Sequence, residues 1–168
     1  KMESRDEQEV RGYFEVLDLI LEEYEGIRVS VGDIQNLHKT LMEHSGKDDW
    51  HKGGYKQISN AVEATLPDGS KQIIFRTAEP GWETEEAMRN LVDWYNQDEK
   101  THSIVKCAAF VYEFLSIHPF QDGNGRLSRL LTTLLLLKEG YKWIQYISFE
   151  YEIEDNKGEY YRRLRNCQ

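Results

Sequence analysis

The chain has 168 residues, of which 39% are hydrophobic and 12% aromatic. This is enough apolar material for one hydrophobic core, and it excludes a disordered tail or a miniprotein that depends on disulfides. The net charge of −9, from 21 basic and 30 acidic residues, repels polyanions, so we predict no binding to nucleic acid or to a membrane surface. No apolar run is long enough to cross a bilayer, which favours a soluble, cytoplasmic protein.

The N-terminal part of the chain is predicted to form two helices. In the first, over about residues 6–25, apolar residues recur at helical spacing, and Gly26 is a stop signal. Ser30 and Asp33 resemble a capping box and start the second helix, which runs to about residue 43. Glycines and polar residues then predict a loop.

A β-hairpin is predicted over residues 57–76. Two short β-like segments, 58–62 and 72–75, are separated by a Pro-Asp-Gly sequence at 67–69 that has turn chemistry. Thr84, which is followed by two glutamates, is predicted as the N-cap of a third helix that ends at about residue 97.

Two apolar helices are predicted in the centre of the fold. Residues 104–117 carry only three polar side chains, so their helix should be buried nearly all round. Residues 126–139 form a leucine-rich helix that stops at Gly140, and a last helical region follows at about 149–167. The chain has no repeat, low-complexity run or linker. Residues 1–168 are therefore predicted to form one mainly α domain, a helical bundle around two buried central helices with one β-hairpin.

The segment between these two helices, HPFQDGNGRLSR at 118–129, concentrates the residues that carry chemistry. Gly123 and Gly125 allow backbone geometries that bring N–H groups into an anion-binding concavity, and the loop leads into a helix N-terminus. Arg126 and Arg129 lie on one side of the first helical turn, where they can hold phosphate oxygens by forked hydrogen bonds. The pattern predicts a polyphosphate site.

Two further side chains of this segment indicate the reaction. Asp122 is a hard oxygen ligand that suits a Mg²⁺ ion bridging phosphates. His118 can accept a proton near neutral pH. A phosphate cradle, a metal ligand and a base together indicate transfer of a phosphate-linked group to a hydroxyl. We assign structural roles to the remaining histidines, which have no carboxylate or thiol at metal-ligand spacing: His38, His44, His51 and His102.

The segment 118–129 resembles the signature of Fic (filamentation induced by cAMP) domains, HxFx(D/E)GNGRxxR, at every specified position. The resemblance extends over most of the chain. IQNLHKTL (34–41), MRNLVDWYN (88–96) and EYYRRL (159–164) are similar to helices of that family, and 57–76 is similar to its β-hairpin flap. The resemblance implies the Fic-type helical fold.

In function, the resemblance implies a protein adenylyltransferase. Such an enzyme transfers AMP from Mg-ATP to a Ser, Thr or Tyr hydroxyl of a target protein, and we expect it to modify itself as well. His118 is implied as the base and Asp122 as the Mg²⁺ ligand. Asn124 and the amides of the glycine loop are implied to bind the α-phosphate, Arg126 the β-phosphate and Arg129 the γ-phosphate.

The resemblance also bears on the reaction type and on adenine binding. Members that resemble the Doc toxin carry Lys at the position of Gly125 and act as kinases, so Gly125 favours nucleotidyl transfer. Adenine lies near a double tyrosine in the family, which implies Tyr160, Tyr161 and Leu164 as its pocket. The exposed edge of the hairpin can hold an extended target segment by strand addition.

Many relatives are restrained by a glutamate in the motif (S/T)xxxE(G/N), which bridges the second signature arginine, here Arg129. Only Ser59 with Glu63 and Ser148 with Glu152 have this spacing, and neither glutamate is followed by Gly or Asn. Ser148 is better explained as a helix N-cap. The motif is therefore expected upstream of this chain, in a separate antitoxin-like partner, or nowhere, and the chain is expected to be active without a release step.

Three alternatives stay open. A nucleotide-binding interaction module would keep the pocket but use no base, and the intact His118 argues against it. The phosphate-binding residues do not read the base, so UTP or another nucleotide can be the donor. Removal of AMP from a modified target, which some relatives perform with the inhibitory glutamate, ranks lower because no such glutamate is visible in the sequence.

Overall fold

The computed structural model describes residues 5–46, 51–65 and 71–167. Within these ranges the chain forms seven α-helices, two strands and a 3₁₀ helix. In chain order they are α1 (Arg5–Glu23), α2 (Val31–Leu41), β1 (Ala61–Thr65), β2 (Lys71–Arg76), α3 (Trp82–Gln97), α4 (Ser103–Ile117), α5 (Asn124–Lys138), the 3₁₀ helix (Lys142–Tyr146), α6 (Phe149–Asp155) and α7 (Lys157–Asn166).

Helices α4 and α5 form the centre of the bundle, which confirms the mainly helical prediction. Ten of the fifteen residues of α5 are buried. Burial of each leucine side chain contributes about 1.5–3 kcal/mol, so this helix supplies much of the core energy. Helix α4 is less enclosed than its composition predicts, because Ile104 and Val105 are 47% and 57% exposed. Its buried face carries Phe110 and Phe114.

Helices α1 and α2 cross closely at Gly12. A Cβ atom at this position would collide with the carbonyl oxygen of Leu41, so only glycine permits the approach. Helix α2 is capped as predicted: Ser30 Oγ accepts from the Asp33 backbone N–H at 3.1 Å. This packing brings the end of α2 beside the loop that precedes α5.

The strands β1 and β2 pair antiparallel between α2 and α3, with Ala61 opposite Arg76 and Thr65 opposite Lys71. The register shifts between Val62 and Glu63. The first strand begins three residues later than the sequence predicts. The predicted Pro-Asp-Gly turn at 67–69 lies outside the described residues.

The predicted start of the third helix is wrong. Helix α3 begins at Trp82, after Gly81 with φ of 87°, and Thr84 lies inside the helix. Thr84 is buried, and its hydroxyl donates to the Glu79 carbonyl at 2.6 Å, so it is not the N-cap. The C-terminal helical region is divided at Asn156 into α6 and α7.

Among the described residues, none of the helices combines the length and the apolar character that a membrane crossing needs.

Candidate functional site

The predicted phosphate loop connects the two central helices. Helix α4 ends at Ile117, and α5 begins at Asn124, two residues earlier than predicted. Gly123 has φ of 80°, a left-handed conformation that turns the chain into α5. A Cβ atom there would lie 3.1 Å from Met42 Sδ, so the tight packing also requires glycine.

His118 is the C-cap of α4 and is half-buried. Its φ of 51° makes it the one non-glycine residue with positive φ in the described part of the chain. The ring Nδ1 lies 3.3 Å from the Leu115 carbonyl, which can only accept, so Nδ1 carries the proton and Nε2 keeps a lone pair. Burial lowers the pKa of His118 to about 4, and the ring is therefore neutral at physiological pH.

Phe120 and His38 anchor the loop in the core. Phe120 is fully buried and stacks on the His38 ring, with centroids 3.8 Å apart. His38 Nδ1 accepts from the Gly53 N–H at 3.0 Å, so the proton on Nε2 donates to the Asp122 carbonyl at 2.9 Å. Burial lowers the pKa of His38 to about 4, which keeps this tautomer neutral. The structural role predicted for His38 thus includes holding the predicted phosphate loop.

Asn124 braces the loop from inside. Its side chain is buried, with Oδ1 accepting from the Phe120 N–H at 2.9 Å and Nδ2 donating to the Phe120 carbonyl at 2.7 Å. In this structure the amide therefore fixes the loop backbone. Its implied contact with the α-phosphate stays a prediction.

The N-terminus of α5 presents backbone N–H groups toward the same loop. The first helical bond runs from the Leu127 N–H to the Gly123 carbonyl at 2.9 Å. The N–H groups of residues 124–126 precede that bond and have no acceptor within the helix. Together with the helix dipole they favour an anion at this end of α5.

Gly125 does not have the special backbone geometry that the sequence predicts for it. It lies within α5 and has no positive φ, so it does not shape the loop by an unusual backbone conformation. A Cβ atom at Gly125 would lie 3.3 Å from Arg129 Nη1. The absence of a side chain here leaves room for the guanidinium.

Both signature arginines contact carboxylates. The Arg126 guanidinium lies 3.5 Å from Glu9 Oε2 and 3.6 Å from Asp122 Oδ1. Arg129 Nη2 donates to Glu150 Oε1 at 2.6 Å, and Arg129 Nε lies 2.6 Å from Glu150 Oε2. The contact is an ion pair with one hydrogen bond, through Nη2, because Nε is close to Oε2 but does not have hydrogen-bond geometry.

Glu150 was not found from the sequence. It belongs to no (S/T)xxxE(G/N) motif, because it lies only two residues after Ser148. Ser148 caps α6 as predicted, with Oγ accepting from the Tyr151 N–H at 3.3 Å. The cap starts α6 so that Glu150, in its first turn, contacts Arg129. The motif is absent from the sequence, but a glutamate outside any such motif contacts Arg129.

A cavity of about 330 Å³ opens beside Arg129. Tyr160 and Leu164, two of the three residues implied for adenine, line it. The third, Tyr161, is not among the lining residues. Its ring packs edge to face with the Tyr160 ring, and the two ring centroids are 5.5 Å apart. The volume of the cavity is at the lower end of the range of small-molecule pockets. Tyr112 and Phe149 also line it, although the sequence pattern gave no sign of this.

Asp122 is suited to a metal ion only together with a phosphate ligand. Its Oδ1 accepts from the Gly123 N–H at 2.6 Å. No group of three or more His, Cys, Asp or Glu side chains in the described ranges could hold a metal ion. Mg²⁺ commonly uses one or two carboxylates, waters and substrate phosphates, and this arrangement fits that mode of binding.

A model of the Fic/DOC family matches residues 28–136. The chain is 31% identical over 117 residues to the protein adenylyltransferase Fic of Drosophila willistoni and 32% identical over 117 residues to that of Drosophila erecta. These alignments cover 68% of the chain but 21% of each relative, so the chain spans about a fifth of their length.

Solved structures show the same architecture. A Fic family protein from Desulfovibrio desulfuricans superposes with a TM-score of 0.75 at 32% identity, covering 96% of this chain and 46% of that one. A Fic domain-containing signaling protein from Bacteroides thetaiotaomicron gives a TM-score of 0.66 at 32% identity, covering 81% and 50%.

Proposed function

Because the chain belongs to the Fic/DOC family, we propose that it is a protein adenylyltransferase that transfers AMP from Mg-ATP to a hydroxyl of a target protein. One observation carries the proposal. A neutral His118 with a free Nε2 lone pair stands in the loop that leads into the helix terminus bearing Arg126 and Arg129. A base and an anion site in one loop are what transfer of a nucleotide to a hydroxyl requires.

In the proposed reaction the target oxygen attacks the α-phosphorus and forms a new P–O bond. The bond to the bridging oxygen of pyrophosphate breaks, and the hydroxyl proton passes to His118 Nε2. A group with a pKa of about 4 is a weak base toward a free hydroxyl. It suffices here because the proton becomes acidic only as the bond to phosphorus forms, late in a loose transition state.

The anion site would hold the phosphates. The N–H groups at the start of α5 point toward the loop, where they would stabilise charge on the α-phosphate. Arg126 and Arg129 would bind the β- and γ-phosphates by forked hydrogen bonds. Asp122 would hold Mg²⁺, which neutralises phosphate charge when bound. Asn124 supports this arrangement by fixing the loop backbone.

Adenine would occupy the cavity beside Arg129. Tyr160 and Leu164 provide an aromatic and an aliphatic wall, and Tyr161 supports Tyr160 from behind. Arg129 lines the same cavity, so a base bound there would be connected to phosphates at the start of α5. The lining is mostly apolar and contains few groups that would distinguish adenine from another base, so UTP stays an alternative donor.

The target segment would bind along the strand pair. Two strands leave edges whose N–H and C=O groups can pair with an extended peptide. Such pairing fixes the backbone of the target without selecting much of its sequence. The proposed partner is therefore a protein that presents a Ser, Thr or Tyr in an extended segment, and no nucleic acid or membrane is needed.

Glu150 favours a second candidate, the hydrolytic removal of AMP from a modified protein. This carboxylate lies in the site at Arg129, where it could orient a water molecule. The first candidate is preferred because Glu150 is directed at the Arg129 guanidinium, with Nη2 donating to Oε1 at 2.6 Å, and this contact is the one that a nucleotide phosphate would take over in AMP transfer.

Labelled ATP separates the candidates. The protein is incubated with Mg²⁺ and either α-labelled or γ-labelled ATP, alone and with a lysate. Protein label from the α position supports AMP transfer, and label from the γ position indicates a kinase. Absence of label with ATP binding preserved indicates a binding module, and release of AMP from a pre-labelled target indicates removal. His118→Ala is the control for each arm.

A further inference from the structure

A buried lysine lies between α2 and β1. Lys56 is 2% exposed, although lysine is rarely buried without partners. Its ammonium group donates to Asn60 Oδ1 at 2.9 Å, to Thr77 Oγ1 at 3.0 Å and to the Ile117 carbonyl at 3.0 Å. Three N–H donors meet three acceptors, so the site is fully built around a charged lysine.

Two of these partners stand at the base of the strand pair. Asn60 immediately precedes β1, and Thr77 immediately follows β2. Thr77 Oγ1 lies 2.7 Å from the Asn60 carbonyl, which joins the two strand ends to each other. Lys56, Asn60 and Thr77, called here the lysine cluster, therefore determine how the strand pair leaves the bundle.

The lysine cluster also contacts four successive carbonyls of the catalytic segment, those of residues 117–120. Lys56 binds the first through Nζ at 3.0 Å and the third through its backbone N–H at 2.8 Å. Asn60 Nδ2 lies 3.5 Å from the second and 2.9 Å from the fourth. The contact with the second is long, and the other three have ordinary hydrogen-bond lengths.

These carbonyls surround the residue whose conformation most needs support. His118 has φ of 51° and ψ of 59°, a left-handed conformation that is unfavourable for a residue with a Cβ atom. The positive Lys56 lies at the C-terminal end of α4, where the helix dipole favours a cation. Its hydrogen bond satisfies the Ile117 carbonyl, which has no partner within the helix.

We propose that Lys56 and Asn60 are positioning residues that hold His118 in its left-handed conformation and couple it to the strand pair. The inference rests on the proposed function for its meaning, since His118 is the base of that reaction. It adds that a target segment paired with the strands is placed in register with the base through Asn60 and Thr77. Neither Lys56 nor Asn60 belongs to the residues proposed to bind the phosphates or adenine.

Asn60→Asp tests the inference most directly. The carboxylate still accepts from Lys56, but it removes the donor to the 118 and 120 carbonyls and places negative charge against them. A shift of the base by about 1 Å lowers the rate about 10²-fold, so kcat should fall by that factor. The KM for ATP should change less than about threefold, because the phosphate contacts lie on α5. Asn90→Asp, an exposed site on α3, is the matched control and should behave as the unsubstituted protein.

A second pair of variants isolates the hydroxyl. Thr77→Val keeps the size of the side chain and removes an acceptor of Lys56, whereas Thr77→Ser retains it. We expect kcat to fall at least tenfold in Thr77→Val and to be restored in Thr77→Ser, a pattern that a packing role would not produce. This pair decides the question if Asn60→Asp does not fold.

Hydrogen exchange separates a failure of this inference from a failure of the proposed function. Asn60→Asp should accelerate amide exchange in residues 117–124 and leave the core of α4 unchanged, whether or not the protein transfers AMP. Unchanged exchange in 117–124, or equal acceleration throughout α4 and α5, would overturn the inference. If the unsubstituted protein shows no transfer activity while Asn60→Asp still accelerates exchange only in residues 117–124, the proposed function alone is overturned.

Discussion

The ion pair between Arg129 and Glu150 predicts that Glu150→Gln increases the affinity for ATP. In the proposed complex Arg129 binds the γ-phosphate, and that contact requires the carboxylate to leave. Glutamine has nearly the same size as glutamate, so the substitution removes the negative charge and one of the two acceptors without opening a cavity.

The magnitude follows from burial of the pair. Arg129 is 17% exposed and Glu150 is 38% exposed at the side chain, so the pair is neither fully buried nor a surface pair. A hydrogen bond to a charged group contributes about 1.5–3 kcal/mol, and an exposed ion pair about 0.2–1 kcal/mol. We take about 1–2 kcal/mol as the free energy that ATP must displace. The Kd of ATP should therefore fall about 5–30-fold in Glu150→Gln.

Calorimetric titration with Mg-ATP and with AMP is the assay. AMP lacks the β- and γ-phosphates, so its Kd should change less than about twofold. Glu152→Gln is the control variant, because Glu152 is an exposed acidic residue on the same helix. An unchanged Kd for ATP, or an equal gain for AMP, would refute the reasoning, since the effect would then not depend on the terminal phosphates.

Four further predictions concern the base, the adenine cavity and the loop. His118→Ala should lower transfer about 10²–10⁴-fold with ATP binding preserved, and an ordinary rate in this variant would remove the assignment of the base. Because burial lowers the pKa of His118 to about 4, the neutral base persists to lower pH, so the rate should decline only as the pH falls toward 4; an acid limb near pH 6.5 would contradict this. Leu164→Ala should weaken ATP binding about tenfold and leave binding of inorganic tripolyphosphate unchanged, as measured by calorimetry. Gly123→Ala should lower the free energy of unfolding in urea by about 1–2 kcal/mol, whereas Gly158→Ala, which has open space around it, should not.

The helices could be predicted because their signals are local. Apolar composition for α4, and the leucine pattern with Gly140 as a stop signal for α5, gave the ends of these helices to within two residues. The start of α3 could not be predicted in the same way. Thr84 has the chemistry of an N-cap, but burial and a bond to the Glu79 carbonyl place it within the helix.

The residues of the candidate catalytic loop could be named from their order, but their partners could not. The spacing of Arg126 and Arg129 predicts two guanidinium groups on one helical face, and that is independent of the rest of the fold. The carboxylates that contact them come from α1 and α6. Which acidic residue reaches an arginine depends on where those helices pack, and the motif search therefore missed Glu150.

The sequence by itself determined the family, the helical architecture and the candidate catalytic loop, because contiguous patterns of twelve residues or of helical periodicity are encoded in neighbouring positions. Only the tertiary structure decided that His38 donates to the Asp122 carbonyl and that Lys56 and Asn60 donate to carbonyls around His118. It also decided that Glu150 forms an ion pair with Arg129. These contacts join residues far apart in the chain. They form because packing removes polar groups from water, and a buried polar group without a hydrogen bond is unfavourable. The available partners are the side chains and backbone groups that the tertiary fold brings close.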